Sequence, residues 1–195
     1  MGRATPPPGP VTPRMNTKLL GIALLLLPAL SPAESVDLGL HGTLTIAVPS
    51  HWTLSSHKEE DSGVAITLSP PGAENAKCIL NVTFVPEPKP VPKETIDEQV
   101  LSVSDQFVGE SVEKAKVLRD FGFTGGVYGS YCVFTDASRV GRPVVHDVFK
   151  VIGIGIVRFR DDVMAAVSLA ADDVKGPDFT AMLAAVRTAA VSPAK

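Results

Sequence analysis

The chain has 195 residues, 45% of them apolar, with 18 Lys and Arg against 21 Asp and Glu. The roughly 160 residues that remain after the leader read below suit one domain with a sizeable core, and no second domain is expected. A net charge of −3, with no long run of either sign, argues against a nucleic-acid binder.

Residues 1–33 read as a secretory signal peptide: Arg14 and Lys18 precede the apolar run Leu19 to Leu30, and Ser31-Pro32-Ala33 forms a small-residue exit with cleavage expected after Ala33. The apolar run is about a dozen residues and is broken by Gly21 and Pro28, whereas a membrane span needs roughly 20. No stable membrane span is expected. The proline-rich stretch before Met15 reads as lying upstream of the true start, and no cysteine follows the run to carry a lipid anchor. Residues 34–195 then form a single domain, periplasmic or secreted. The leader holds three bases (Arg3, Arg14 and Lys18) and no acid, so the remainder carries 15 bases to 21 acids, a net −6.

Leu44, Ile46 and Val48 alternate with smaller residues at the period of a strand. Pro49 lacks an amide hydrogen and turns the chain, and Trp52 with Leu54 starts a second strand whose indole is large enough to plug the end of a core. Pro49 and Trp52 are therefore expected as structural anchors. A third strand spans Val64 to Leu68, and "KCILNVTFV" makes a fourth with Cys78, Leu80, Val82 and Phe84 on one face. The proline-rich "PEPKPVPK" is a stiff spacer. It leads to a helix that Thr95 and Glu98 cap as a box, with Ile96, Val100, Val103 and Phe107 as its apolar stripe.

Strand signals return in "EKAKVLRDF", "GVYGSYCVFTD", "VVHDVFKVIGIGIVRF" and "VMAAVSLAA", with Gly153 and Gly155 marking a bulge or break. Several of these runs are apolar on both faces, which calls for cover on both sides of the sheet. Pro177-Asp178 opens a last helix with Phe179, Leu183, Val186 and Ala190 as its stripe, stopped by Pro193. The expected class is α+β: a central antiparallel sheet of about seven strands sandwiched by two helices.

No motif here has the form of a catalytic or cofactor site. "GIGI" lacks the third glycine of a dinucleotide fingerprint, and Ser130 in "YGSYC" lacks the second glycine and the strand-to-helix turn of a nucleophile elbow. His41, His51, His57 and His146 stand in no metal or triad spacing, and His51 and His57 read as exposed loop residues. Asp161-Asp162 and Asp172-Asp173 read as turn residues at strand ends, without the pattern of a calcium loop. The sequon at Asn81 falls inside a strand. No cofactor and no enzymatic activity are expected.

Two readings stand for Cys78 and Cys132. An exported chain oxidises its thiols, and a bridge closing a loop of about 55 residues would add about 4 kcal/mol; otherwise both are buried free thiols acting as small hydrophobes.

The element "LTIAVPSHWTL", a strand ending in proline followed at once by tryptophan, resembles the start of the PsbP-like superfamily, which takes in PsbP, the Ran-binding Mog-type proteins and the DcrB-type exported proteins. The later order is similar too, down to the "F-x-x-x-L-x-x-V" stripe in "FTAMLAAV". The resemblance spans residues 42–191. It implies a sheet between helices and an accessory or docking module with no catalytic residues to carry over. A protein partner in the cell envelope is the resulting expectation, with Arg139 and Arg142 in the loop "ASRVGRP", and the segment "SSHKEEDSG", as its candidate surface. The alternative is a small-ligand carrier or weak hydrolase using a pocket between sheet and helix.

Overall fold

The computed structural model describes residues 30–59, 63–72 and 75–194; apart from its last four residues, the expected leader lies outside them. Ten strands and two helices follow in chain order: β1 (Leu30–Asp37), β2 (Thr43–Pro49), β3 (Thr53–Glu59), β4 (Gly63–Ser69), β5 (Ala76–Phe84), α1 (Lys93–Val108), β6 (Arg119–Asp120), β7 (Tyr128–Thr135), β8 (Val151–Arg160), β9 (Val163–Ala171), α2 (Pro177–Thr188) and β10 (Ala190–Ser192).

Seven strands form one antiparallel sheet in the order β3-β4-β5-β9-β8-β7-β6. α1 lies on β7 and β8, and α2 lies on β9 and β5. Each helix covers the face that the strand alternation makes apolar. Toward α2 the sheet turns Ile66, Leu68, Cys78, Leu80, Val133, Val157 and Leu169 into the main core. Toward α1, Cys132, Phe134, Ile152 and Ile156 meet Val100, Leu101 and Phe107 in a smaller one. The fold is α+β with a seven-stranded sheet between two helices.

The strand Leu44 to Val48 does not join that sheet. β2 sits in a separate three-stranded sheet between β1 and β10, which packs under α2. Its partners come from segments without strand signals in the sequence: β1 overlaps the leader's exit, and β10 follows immediately on a helix. β1 crosses the expected cleavage point, with Ala33 opposite Ala47, while Glu34 to Asp37 pair with Ile46 to Thr43 on the retained side.

Several local expectations are corrected. Pro92, not Thr95, occupies the N-cap of α1, and no side chain caps it; the preceding prolines set the entry, so Thr95 lies inside the first turn. Val103 is 42% exposed, and Ser104 takes the buried position on α1. β8 runs through Gly153 and Gly155 with unbroken pairing; its register shift falls between Arg158 and Arg160. A Cβ at Gly155 would lie 2.7 Å from the Ser130 carbonyl oxygen and 2.9 Å from the Phe121 ring, and one at Gly153 would lie 3.4 Å from Phe179. Gly155 has no room for a side chain against β7 and Phe121, and at Gly153 the nearer neighbour is Leu169, at 3.2 Å. Residues 144–150 form no strand of the sheet, and of "EKAKVLRDF" only Arg119 and Asp120 pair. In α2, Met182 and Ala185 are buried beside Phe179 and Val186, whereas Ala190 belongs to β10. α2 itself ends at Thr188, ahead of Pro193.

Among the described residues no helix is long and apolar enough to cross a membrane.

Candidate functional site

The C-terminal end of α1, the end of β7, the loop 136–150 and the start of β8 enclose an open groove of about 290 Å³. Local bonds fix its walls. Beyond α1, Ser111 donates through Oγ to the Val108 carbonyl (3.1 Å) and accepts from the Lys114 amide (3.1 Å). Glu113 accepts from both the amide and the hydroxyl of Thr135 at 2.8 Å. Burial pushes that carboxyl up, but the Thr135 bonds outweigh it and leave the group below its usual range. The Val112 amide donates to the Thr135 carbonyl, and the Ala137 amide to that of Glu110. The segment after α1 is thus clamped to the end of β7. Phe107 and Phe134 stack across the groove with ring centroids 5.6 Å apart.

The loop beside the groove carries an unusual surface. Val140, Val144, Val145 and Val148 are 57, 54, 47 and 36% exposed. Arg139 and Arg142 stand on the same loop, Arg139 in a single 3-10 turn (Ala137–Arg139) that Asp136 caps by accepting from the Ser138 amide at 2.8 Å. That bond, with the two arginines, holds the Asp136 carboxyl below its ordinary range.

Cys78 and Cys132 are both free and both buried. Across the sheet Cys78 lies in one row with Leu169, Gly153 and Val133, three strand spacings from β7 or about 14 Å, far beyond the reach of a disulfide. Cys132, next to Val133, also faces the opposite core. Of the two readings, the structure therefore has the free thiols: three strand spacings separate the cysteines, and they point to opposite faces of the sheet. Burial pushes the Cys78 thiol up to about 12, and burial likewise raises Cys132. Pro49 is buried, and Trp52 packs half-buried against the main core, with its amide bonded to the Pro49 carbonyl.

His51 is exposed in the turn at φ 69°, while His57 lies on β3 opposite Ala65, exposed but not in a loop. Ser130 is enclosed at zero exposure. In "SSHKEEDSG" residues 60–62 lie outside the description. Its first part, Ser55 to Lys58, is the exposed edge strand β3.

One cluster has no signal in the sequence. Arg160 grips Asp162 through two bonds, Nε to Oδ1 at 2.9 Å and Nη2 to Oδ2 at 2.8 Å, and also donates to the His41 carbonyl. His41 Nδ1 lies 3.0 Å from Asp162 Oδ2, and its ring stacks on Phe84 at 3.9 Å. The Arg160 bonds, more than the opposing burial, hold the Asp162 carboxyl down at about 2, with His41 adding to them. His41 and Asp162 are 121 residues apart, so no motif spacing could reveal the pair. They tie the 3-10 turn Gly39–His41 to the β8–β9 turn beside a second hollow of about 260 Å³. No hydroxyl or thiol bonds to His41 among the described residues.

No protein-family model matches the chain, and no curated protein matches it. Among solved structures it is similar to the solution structure of cyanobacterial PsbP (CyanoP) from Synechocystis sp. PCC 6803, with a TM-score of 0.48 and 9% identity over 87% of this chain and 96% of that one. No family is assigned on a likeness of this size.

Proposed function

We propose that the chain is an exported, non-catalytic accessory module that docks onto a protein of the cell envelope. The observation that carries this reading is the loop 139–148, which presents four exposed valines and two arginines beside an open groove. Exposed apolar side chains gathered on one loop mark interaction surfaces more often than scattered ones do. The nucleophile candidates give no competing chemistry. Both thiols are buried with raised pKa, Ser130 is enclosed, and His41 is held against an aspartate already neutralised by Arg160. The groove, of about 290 Å³, lies at the small end of the range of small-molecule sites, and its open, valine-bearing rim favours docking over a carrier or weak hydrolase.

The test is cross-linking capture from envelope extracts with the mature protein and with Arg139→Glu/Arg142→Glu. Recovery of one stoichiometric protein, lost in the variant, is the expected outcome. A tightly co-purifying small molecule with no protein partner would overturn the reading in favour of a carrier.

A further inference from the structure

Asparagine is disfavoured in strands, yet Asn81 stands in the middle of β5, opposite Ala65 of β4 on one side and Ala166 of β9 on the other. Its side chain gains nothing from the position: it is exposed and makes no hydrogen bond among the described residues. A residue that breaks a local preference without structural return points to a function. Val82 next to it is buried, and Thr83, two residues on, is exposed on the same face and likewise unbonded. Asn-Val-Thr has the pattern of an acceptor for N-linked glycans. The space above it is open. Both flanking partners of Asn81 are alanines, Thr83 lies between Gly63 and Met164, and α1 sits over β8 and β7, two and three strands away, or about 10 and 14 Å.

We propose that Asn81 is an N-glycosylation site, and that its glycan covers the half of the sheet that α1 leaves bare. This rests on the export part of the docking proposal and not on which partner is docked. In the transfer, the Asn81 side-chain nitrogen bonds to the anomeric carbon of an oligosaccharide carried on a polyisoprenyl diphosphate. The carbon–oxygen bond to the diphosphate breaks, the diphosphate leaves with the electron pair, and the amide releases one proton to a base of the transferase. β5 is paired with β4 and β9 on its two sides, so the acceptor peptide cannot enter an enzyme cleft once the sheet has formed. Transfer belongs to the emerging chain, before β9 has been made. In the folded protein the first sugars lie over Ala65 and Ala166 and give that face a hydrated cover. The loop 139–148 stays clear of them: Asp147 meets β5 at Lys77, 4.0 Å away, four residues or about 13 Å along the strand from Asn81.

Peptide mapping by mass spectrometry, on protein recovered from the exported fraction of its own cells, tests the site. The Asn81 peptide should carry a hexosamine-containing mass that peptide N-glycosidase removes, leaving aspartate at that position. Asn81→Gln and Thr83→Ala should abolish the modification, whereas Thr83→Ser should keep it; both positions are exposed, and unchanged urea midpoints would confirm that the variants fold. Folded, unmodified protein incubated with transferase and lipid-linked donor should remain unmodified. Exported chain with Asn81 unmodified, or a glycan that survives Asn81→Gln, would overturn the proposal. In either case capture of a protein that the Arg139→Glu/Arg142→Glu variant loses would leave docking standing. A chain retained inside the cell with residues 1–33 still attached would overturn the export reading and the glycan with it.

Discussion

Gly155 shows how tightly β7, β8 and Phe121 are packed. A Cβ there meets the Ser130 carbonyl oxygen and the Tyr131 Cβ at 2.7 and 2.8 Å, and backbone cannot step aside as a side-chain tip can. Gly155→Ala should therefore destabilise the protein by about 2–3 kcal/mol, measured as a shift in urea midpoint at unchanged slope. Gly109→Ala is the control, because nothing lies within 4 Å of its added Cβ, and it should cost nothing. The cysteines offer a second check. Alkylation of denatured, unreduced protein should label two thiols per chain; zero labels would show a bridge and overturn the strand register. Asp162 gives a pH dependence whose sign follows from its depressed pKa. The carboxylate stabilises the fold fully above its unfolded value near 3.8, and that contribution is lost as pH falls through about 2. After allowance for its partial exposure the effect is about 1 kcal/mol. Urea midpoints between pH 5 and pH 2 should fall less steeply in Asp162→Asn than in the parent, and identical slopes would show that Arg160 does not hold the charge.

At the scale of elements, the sequence was most legible where alternation and burial coincide. Cys78, Leu80 and Val82 on β5, and the apolar run of β9, are buried on the face that their period indicates. Local signals failed where the neighbouring chain decides. Thr95 with Glu98 has the spacing of a capping box, yet the extended proline segment delivers Pro92 as the N-cap. Thr95→Ala should consequently change stability by less than about 0.5 kcal/mol, against about 1 kcal/mol for loss of a true cap; thermal melts decide between them. The β-branched run at Val144 and Val145 reads as strand, but Gly141 at φ 75° and Asp147 at φ 55° interrupt it, and the valines are left facing solvent. The Arg139 to Arg142 turn was visible from its residues. The groove beside it was not, because α1, β7, the loop and β8 each contribute one wall from a different part of the chain.

At the scale of the whole molecule, the helices divide the sheet unequally. α1 covers β7 and β8, so on that face Asn81 of β5 and Ala166 of β9 remain exposed, while the opposite face is sealed by α2 and the small sheet. A stable complex needs about 800 Å² from this protein, and the loop 139–148 with the adjoining groove is a start toward that area. The small sheet also bears on the order in which the molecule can be assembled. β2 is held on one side by β1, a few residues before it, and on the other by β10, with Val191 opposite Leu44 and Ser192 opposite Thr43. A growing chain can form the β1–β2 hairpin early, but β2 keeps one open edge until residues 190–192 have been made. A chain interrupted before residue 190 would carry that edge exposed, ready to pair with the wrong strand, so β10 acts as the latch that closes an aggregation-prone edge.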